Sequence, residues 1–111
     1  MKNLQYKDYI GSIEYSEEDN LLYGKVQQIK GLISYEGIDI LELKANFIES
    51  IDEYFEECEL NEVEPEKPFK GVFQVRTSSS LHRKLFEISQ EEETSLNEVV
   101  NKCFEVALAS K

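Results

Sequence analysis

The order of apolar and polar positions predicts two small structural units joined by a polar segment. Short runs rich in tyrosine, isoleucine and other apolar residues predict three strands, over residues 6–15, 21–26 and 31–36. Asp39 and, three residues later, Glu42 form a capping box, and apolar residues then recur at spacings of three and four. This pattern predicts a helix over residues 40–58. The first unit, residues 1–60, is therefore predicted to be a small sheet with one helix, an α+β arrangement.

A polar segment over residues 61–69 separates the two predicted units. It contains Pro65 and Pro68, the only two prolines of the chain, and almost no apolar residue. Proline removes a backbone donor and disfavours helix in the residue before it. We interpret the segment as an extended linker.

The remaining residues, 70–111, predict one strand followed by two helices. The strand covers residues 70–77, Ser78–Ser80 caps the first helix, and Ser95 caps the second with Glu98 in the capping-box position. A lone strand leaves its backbone groups unpaired, and two short helices cannot enclose a core. We therefore expect two copies to intertwine, with their strands forming an antiparallel ribbon above four helices.

Side-chain alternation along this ribbon predicts a DNA-reading face. Phe73 and Val75 would face the core, and the alternate residues would face outward. A two-stranded ribbon fits the major groove of B-DNA, where glutamine can pair with adenine, arginine with guanine, and an apolar group can touch a thymine methyl. The free amides at the start of the second helix can hold a phosphate. The predicted DNA-binding residues are Lys70, Val72, Gln74, Arg76, Ser95 and Asn97.

The net charge of −11 lies entirely in the first part of the chain. Residues 1–64 carry five basic and 16 acidic side chains, whereas residues 65–111 carry seven of each sign. An acidic surface disfavours nucleic-acid binding by the first unit and suits a basic protein partner, although it could equally serve solubility alone. The neutral second unit predicts weak, salt-sensitive DNA binding.

Other features of the composition argue against membrane, secretory and metal-binding classes. No run of about 18 apolar residues is present, and the first residues lack the apolar region of a secretory signal. Cys58 and Cys103 lie on apolar helical faces, so we expect buried free thiols in a cytoplasmic protein. With His82 as the single histidine, we expect no metal and no cofactor.

An enzyme is the main competing class. A magnesium-dependent nuclease needs clustered carboxylates. The acids of the first unit are dispersed, and Asp52 and Glu53 would point about 100° apart on a helix. The other acids considered are Asp8, Glu14 and Asp39. We expect binding rather than catalysis.

Three segments of the last third resemble the ribbon-helix-helix family of Arc and MetJ type repressors: Gly71–Thr77, Leu81–Leu85 and Thr94–Val100. The resemblance covers about residues 71–109 and implies an intertwined dimer that binds operator DNA. The family often has a glycine just before the second helix. Glu93 and Thr94 stand there instead, which predicts a strained or altered turn.

Segments of the first part resemble the N-terminal domain of HicB-type antitoxins: Tyr9–Val26, Gly31–Gly37 and Leu41–Lys44. That family carries such a domain first and, in many members, a ribbon-helix-helix module last. The resemblance implies a partial ribonuclease-H-like fold and a small basic partner, an mRNA-cleaving HicA-type toxin that the antitoxin masks. It also implies repression of the protein's own operon.

Charge complementarity with such a toxin suggests contact residues in the first unit. We expect the acids of the polar turn at residues 16–20, the tyrosines beside that turn and acids of the helix to take part. The candidates are Tyr15, Glu17, Glu18, Asp19, Tyr23, Asp52 and Glu53. We expect a homodimer and leave a tetramer open. The alternative is a free-standing ribbon-helix-helix regulator whose acidic part is a sensor or oligomerisation domain.

Overall fold

The computed structural model describes residues 3–111, which form two units, residues 3–72 and 73–111. The class is α+β, as predicted, with small antiparallel sheets and three helices. The elements are β1 (Leu4–Tyr6), β2 (Tyr9–Gly11), β3 (Glu14–Ser16), β4 (Leu21–Lys25), β5 (Ser34–Gly37), α1 (Ile40–Leu60), α2 (Ser79–Glu91) and α3 (Leu96–Ala109).

The first predicted strand, over residues 6–15, is wrong as a single element. The chain reverses at Lys7 and Asp8, so that Tyr6 pairs with Tyr9 and β1 and β2 form a tight hairpin. Both turn residues have positive φ, 50° and 69°, as a two-residue hairpin turn of type I′ requires. The sequence lacks the Asn-Gly or Asp-Gly pair that normally marks such a turn. We therefore attribute the error to turn chemistry that local propensity does not reveal.

The strands β2 and β3 form one bent run that changes partners. Its first half pairs with β1 and its second half with β4. At the bend, the Ser12 N–H donates to the Lys25 carbonyl (3.0 Å) and the Gln27 N–H donates to the Ile10 carbonyl (2.8 Å). The order of the three-stranded sheet is β3-β4-β5, all antiparallel. The predicted third strand is present as β5, but it begins three residues later than expected.

Helix α1 lies on these strands and supplies the centre of the core. The Asp39 side chain accepts a hydrogen bond from the Glu42 N–H (2.8 Å), which confirms the predicted N-cap. Leu43, Phe47 and Ile51, one turn apart on the predicted apolar face, are completely buried. Each such side chain contributes about 1.5–3 kcal/mol relative to an exposed position. The strand residues in this core are Leu4, Tyr9 and Tyr35, and Val26, directly after β4, joins them.

The second unit contains the two predicted helices. Ser78 and Ser95 cap them, accepting hydrogen bonds from the N–H groups of Leu81 and Glu98. The turn before α3 places Glu93 at φ 52°, the left-handed conformation expected where the ribbon-helix-helix family often has glycine. No strand forms over residues 70–77, so that prediction does not hold for the single chain. A strand needs a neighbour to complete its ladder, and the chain by itself supplies none there.

Candidate functional site

Residues 72–76 expose the side chains predicted to read DNA. Val72 is 89% exposed, and Gln74 and Arg76 are also exposed. Within residues 3–111, Gln74 and Arg76 make no side-chain hydrogen bond or ion pair, so both groups are available to a ligand. Lys70 is partly engaged, because its Nζ lies 3.8 Å from a carboxylate oxygen of Glu66.

The same segment also exposes the residues predicted to face a core. Phe73 is 70% exposed, and its ring stacks on that of Phe104 with the centroids 6.5 Å apart. Val75 is exposed as well. The single chain therefore does not show the predicted buried and exposed faces, because all of residues 71–80 are exposed in it.

Helices α2 and α3 leave much apolar surface uncovered. Their buried residues are Ser89 and Val99 alone among those described. The exposed large apolar residues are Leu81, Phe86, Phe104, Val106 and Leu108. Cys103 is also exposed, so its predicted burial is wrong for the single chain, whereas Cys58 is buried as expected and both thiols are free. Several exposed large apolar side chains on two packed helices are typical of an interaction surface.

The start of α3, predicted to hold a phosphate, has exposed Ser95 and Asn97. The Ser95 hydroxyl oxygen accepts the Glu98 N–H at 3.0 Å, and the Glu98 carboxylate in turn accepts the hydroxyl of Thr94. An acidic side chain therefore already occupies part of this helix N-terminus. It would oppose a phosphate placed there by like-charge repulsion.

The turn between β3 and β4 forms the acidic end of the first unit. Tyr15 is 58% exposed, and its hydroxyl donates to the Asn20 side chain at 3.1 Å. Glu17, Glu18 and Asp19 are exposed beside it. On the face of the sheet that α1 does not cover, Tyr23 and Asp19 help to line an open groove of about 580 Å³.

The two helix acids predicted to join this surface lie elsewhere. Asp52 accepts the Tyr6 hydroxyl at 2.8 Å and the Lys7 ammonium at 3.2 Å. These bonds, the one from Tyr6 first, lower the pKa of Asp52. Because Lys7 is in the β1–β2 turn, Asp52 is positioned at the opposite end of the strand run 9–16 from the acidic turn. The structure therefore does not bring Asp52 together with Tyr15, and Glu53 is simply exposed on α1.

Sequence reasoning missed the role of Glu66, which lies in the predicted linker. Its carboxylate accepts the backbone N–H groups of Lys30 (2.5 Å) and Gly31 (3.1 Å). Its own N–H donates to the Tyr54 hydroxyl at 2.7 Å, and its carbonyl accepts the Tyr9 hydroxyl at 2.5 Å. The backbone bonds lower the pKa of Glu66. This part of the segment is thus held against the first unit, and no local sequence signal indicates that docking.

Among residues 3–111, no three histidine, cysteine or acidic side chains converge as metal ligands. None of the helices described there is both long and apolar enough to cross a bilayer.

Comparison with known proteins gives one family. The model of the HicB family matches residues 54–104, a little under half of the chain, from the last part of α1 into α3. Over these residues the chain is similar to the HicB family. No curated protein and no solved structure matches the chain.

Proposed function

We propose that the protein is the antitoxin of a type II toxin–antitoxin system, and that it binds and masks a HicA-type mRNA-cleaving toxin and represses its own operon. It acts by binding and performs no catalysis itself. The HicB-family match over residues 54–104 is the observation that carries the proposal. Acidic residues dominate the first unit, which favours a basic partner.

A second copy of the chain is the partner that best fits the second unit. Residues 73–77 have no ladder partner, and the apolar side chains of α2 and α3 are largely uncovered. Pairing of two copies through this segment would form a ribbon and bury Phe73 and Phe104 between four helices. A ribbon of this kind is the core of the ribbon-helix-helix fold that the sequence resembles, and the first unit would correspond to the partial ribonuclease-H-like part.

The antitoxin role is tested by isolating the tagged full chain from the cells that make it. We expect a small basic protein in stoichiometric amount, and we expect the recovered protein to cleave RNA only after the tagged chain is removed. Recovery of no such protein from cells that express the chain well would contradict the antitoxin role. The free-standing regulator would then be the better description.

The dimer is tested by Phe73→Asp. A carboxylate at this position would be desolvated without a partner on dimerisation, which costs several kcal/mol. We expect light scattering to give a monomeric mass or the protein to unfold. Val72→Asp is the matched control, because Val72 is predicted to face outward and should leave the dimer mass unchanged. A stable Phe73→Asp dimer would refute the placement of Phe73 in the core.

The DNA contact is tested by Arg76→Ala. A bidentate arginine–guanine pair contributes about 1–3 kcal/mol of discrimination, so we expect weaker operator binding and relaxed base preference at one position. Arg83→Ala is the control, because Arg83 lies on α2 and is paired with Glu87 at 3.1 Å. Both proteins are compared at one salt concentration, since phosphate contacts depend on salt. If Arg76→Ala kept the operator affinity and base preference of the unmodified chain, the assignment of residues 70–77 as a DNA-reading ribbon would be wrong.

A further inference from the structure

The three-stranded sheet of the first unit has two outer edges, of which one is covered by helix side chains and the other is open. Its order, β3-β4-β5, leaves one side of β3 and one side of β5 without a strand neighbour. Exposed strand edges are sites at which another chain can add a strand, and proteins commonly block the edges that must stay free. The hydrogen bonds at the two edges show which one is blocked.

The edge formed by β5 is closed by helix α1. The carbonyl of Ile33 accepts a bond from the β4 side, so the carbonyls of Ser34 and Glu36, in the alternate positions, point away from β4. Asn46 donates its side-chain amide to the Glu36 carbonyl at 2.7 Å, and the Ser50 hydroxyl lies 3.4 Å from the Ser34 carbonyl. Asn46 thus occupies one acceptor that an added strand would need, and Ser50, whose hydroxyl donates to the Asn46 carbonyl at 2.7 Å, lies against the other.

The edge formed by β3 is open at Tyr15. The Ser12 N–H bonds to β4, and the register pairs Glu14 with Tyr23, so the even-numbered residues of this run face β4. The backbone N–H and carbonyl of Tyr15 therefore point outward. Within residues 3–111 neither group has a hydrogen-bond partner. The exposed aromatic ring of Tyr15 adds apolar contact area beside these two groups.

Charge identifies the occupant of this edge. The acids around it are Glu14, Glu17, Glu18 and Asp19, all exposed, and no ion pair between described residues involves them. If β3 paired with β3 of a second copy, the acids of both copies would come together, and like charges directly opposite one another are destabilising. A basic extended segment of a different protein would instead gain from the same charges.

We propose that the basic partner protein adds an extended strand to the open edge of β3, bonding to the backbone of Tyr15. The inference rests on the proposed function for the existence of that partner. Strand addition supplies affinity through main-chain hydrogen bonds, and the flanking acids select a basic segment. The partner would reach the acidic turn and the Tyr15 ring in the same contact.

The test compares three tagged full chains: the unmodified protein, Tyr15→Pro and Tyr15→Phe. Proline at position 15 removes the outward N–H, which has no partner within residues 3–111, and edge positions tolerate proline. The side-chain bond from the Tyr15 hydroxyl to Asn20 is lost in both Tyr15→Pro and Tyr15→Phe, so the comparison of the two variants cancels it. We expect Tyr15→Pro to weaken binding of the co-purified basic protein at least about tenfold. The partner strand loses the hydrogen bond from the backbone N–H of residue 15, and the pyrrolidine ring of the proline blocks its approach. Tyr15→Phe keeps the backbone and should bind within about threefold of the unmodified chain.

Amide hydrogen exchange gives a second readout that needs no substitution. Addition of the basic protein should slow exchange of the Tyr15 amide in the unmodified chain by at least about tenfold. Unchanged exchange at Tyr15, or full binding by folded Tyr15→Pro, would overturn strand addition while leaving the antitoxin role intact. Failure of the unmodified chain to recover any basic protein would overturn both. If Tyr15→Pro does not fold, the exchange measurement decides alone.

Discussion

The hydroxyl of Tyr35 provides a sharp test of how the first unit is held together. Tyr35 is a buried residue of the outer strand β5, and its ring lies edge-on to that of Phe47 at a centroid distance of 5.1 Å. Its hydroxyl donates to the Ser12 carbonyl at 2.7 Å. That bond ties β5 to the bend between β2 and β3, so Tyr35→Phe removes one atom that joins three strands.

The expected loss follows from two contributions. The Ser12 carbonyl loses its donor, and a buried acceptor left without a partner costs about 1–3 kcal/mol. The hydroxyl also fills space left by Gly11 and Gly24, where an added methyl carbon would lie 2.2 Å and 2.7 Å from the hydroxyl oxygen. Removing the oxygen therefore leaves a small void rather than a well-packed ring. Since Ser12 is only half-buried, we expect a loss of about 1–2 kcal/mol.

The measurement is urea unfolding of the full chain followed by circular dichroism, with all variants at the same protein concentration, because the stability of any chain that associates depends on concentration. Tyr15→Phe is the matched control. It removes the same atom from an exposed tyrosine bonded to Asn20, so it should cost less than about 0.5 kcal/mol. In thermal unfolding, the loss in Tyr35→Phe should lower the Tm by about 5–15 °C. Equal stability of the two variants would refute the structural role of the Tyr35 hydroxyl.

The same hydroxyl predicts a dependence on alkaline pH. Burial raises the pKa of Tyr35 from 10.0 to about 12. Because the folded state keeps the proton more tightly than the unfolded state does, stability is fully present below pH 10 and is lost as the pH rises toward 12. Tyr35→Phe should lose less stability across that window than the unmodified chain. If the free energy of unfolding fell equally in both proteins between pH 10 and 12, groups other than Tyr35 would be responsible for the loss.

Three further predictions concern the same unit. Phe47→Ala should cost about 3–5 kcal/mol in urea unfolding, because Phe47 is completely buried, and a loss below about 1 kcal/mol would contradict its central position. Gly37→Ala should destabilise by about 1–3 kcal/mol, since the new carbon would lie 2.5 Å from the backbone nitrogen of Leu43; Gly31→Ala, where the nearest atom is 3.7 Å away, is the control and should be tolerated. The pKa of Glu66 is lowered in the folded state, so the carboxylate stabilises the fold above its unfolded pKa, and this stabilisation is lost as the pH falls. Glu66→Gln should therefore reduce the loss of stability at acidic pH. The same acid-induced loss in both proteins would contradict the docking of Glu66.

Helix positions and caps could be derived from the sequence because their signals are local. Asp39 and Ser95 cap α1 and α3 as their spacing to the following glutamates predicts. The three- and four-residue spacing of apolar residues identified the face of α1 that is buried. The same locality explains the turn before α3, where Glu93 takes the positive φ expected from the missing glycine.

Strand pairing could not be derived in the same way, because it depends on residues far apart in the chain. The Lys7–Asp8 reversal has no local turn signature, and in the folded unit Lys7 pairs with Asp52, 45 residues away. The Lys7 ammonium also lies 4.8 Å from the centre of the Phe55 ring. Tertiary contacts therefore support a turn that propensity alone would not favour.

The candidate binding surfaces also combine features that local sequence predicts with features that depend on tertiary contacts. By itself the sequence determined that the acidic charge belongs to the first unit and that the acids after Tyr15 lie in a turn between two strands, and it led us to expect a partner for residues 70–77. Only the tertiary structure decided that Asp52 is engaged by Tyr6 and Lys7, that Glu66 is docked on the loop at Lys30, and that α1 closes one sheet edge while leaving the other open. Net charge and the order of polar and apolar residues can be read from neighbouring positions in the sequence. Each of these contacts instead joins backbone and side-chain groups that only the folded chain brings within hydrogen-bond distance.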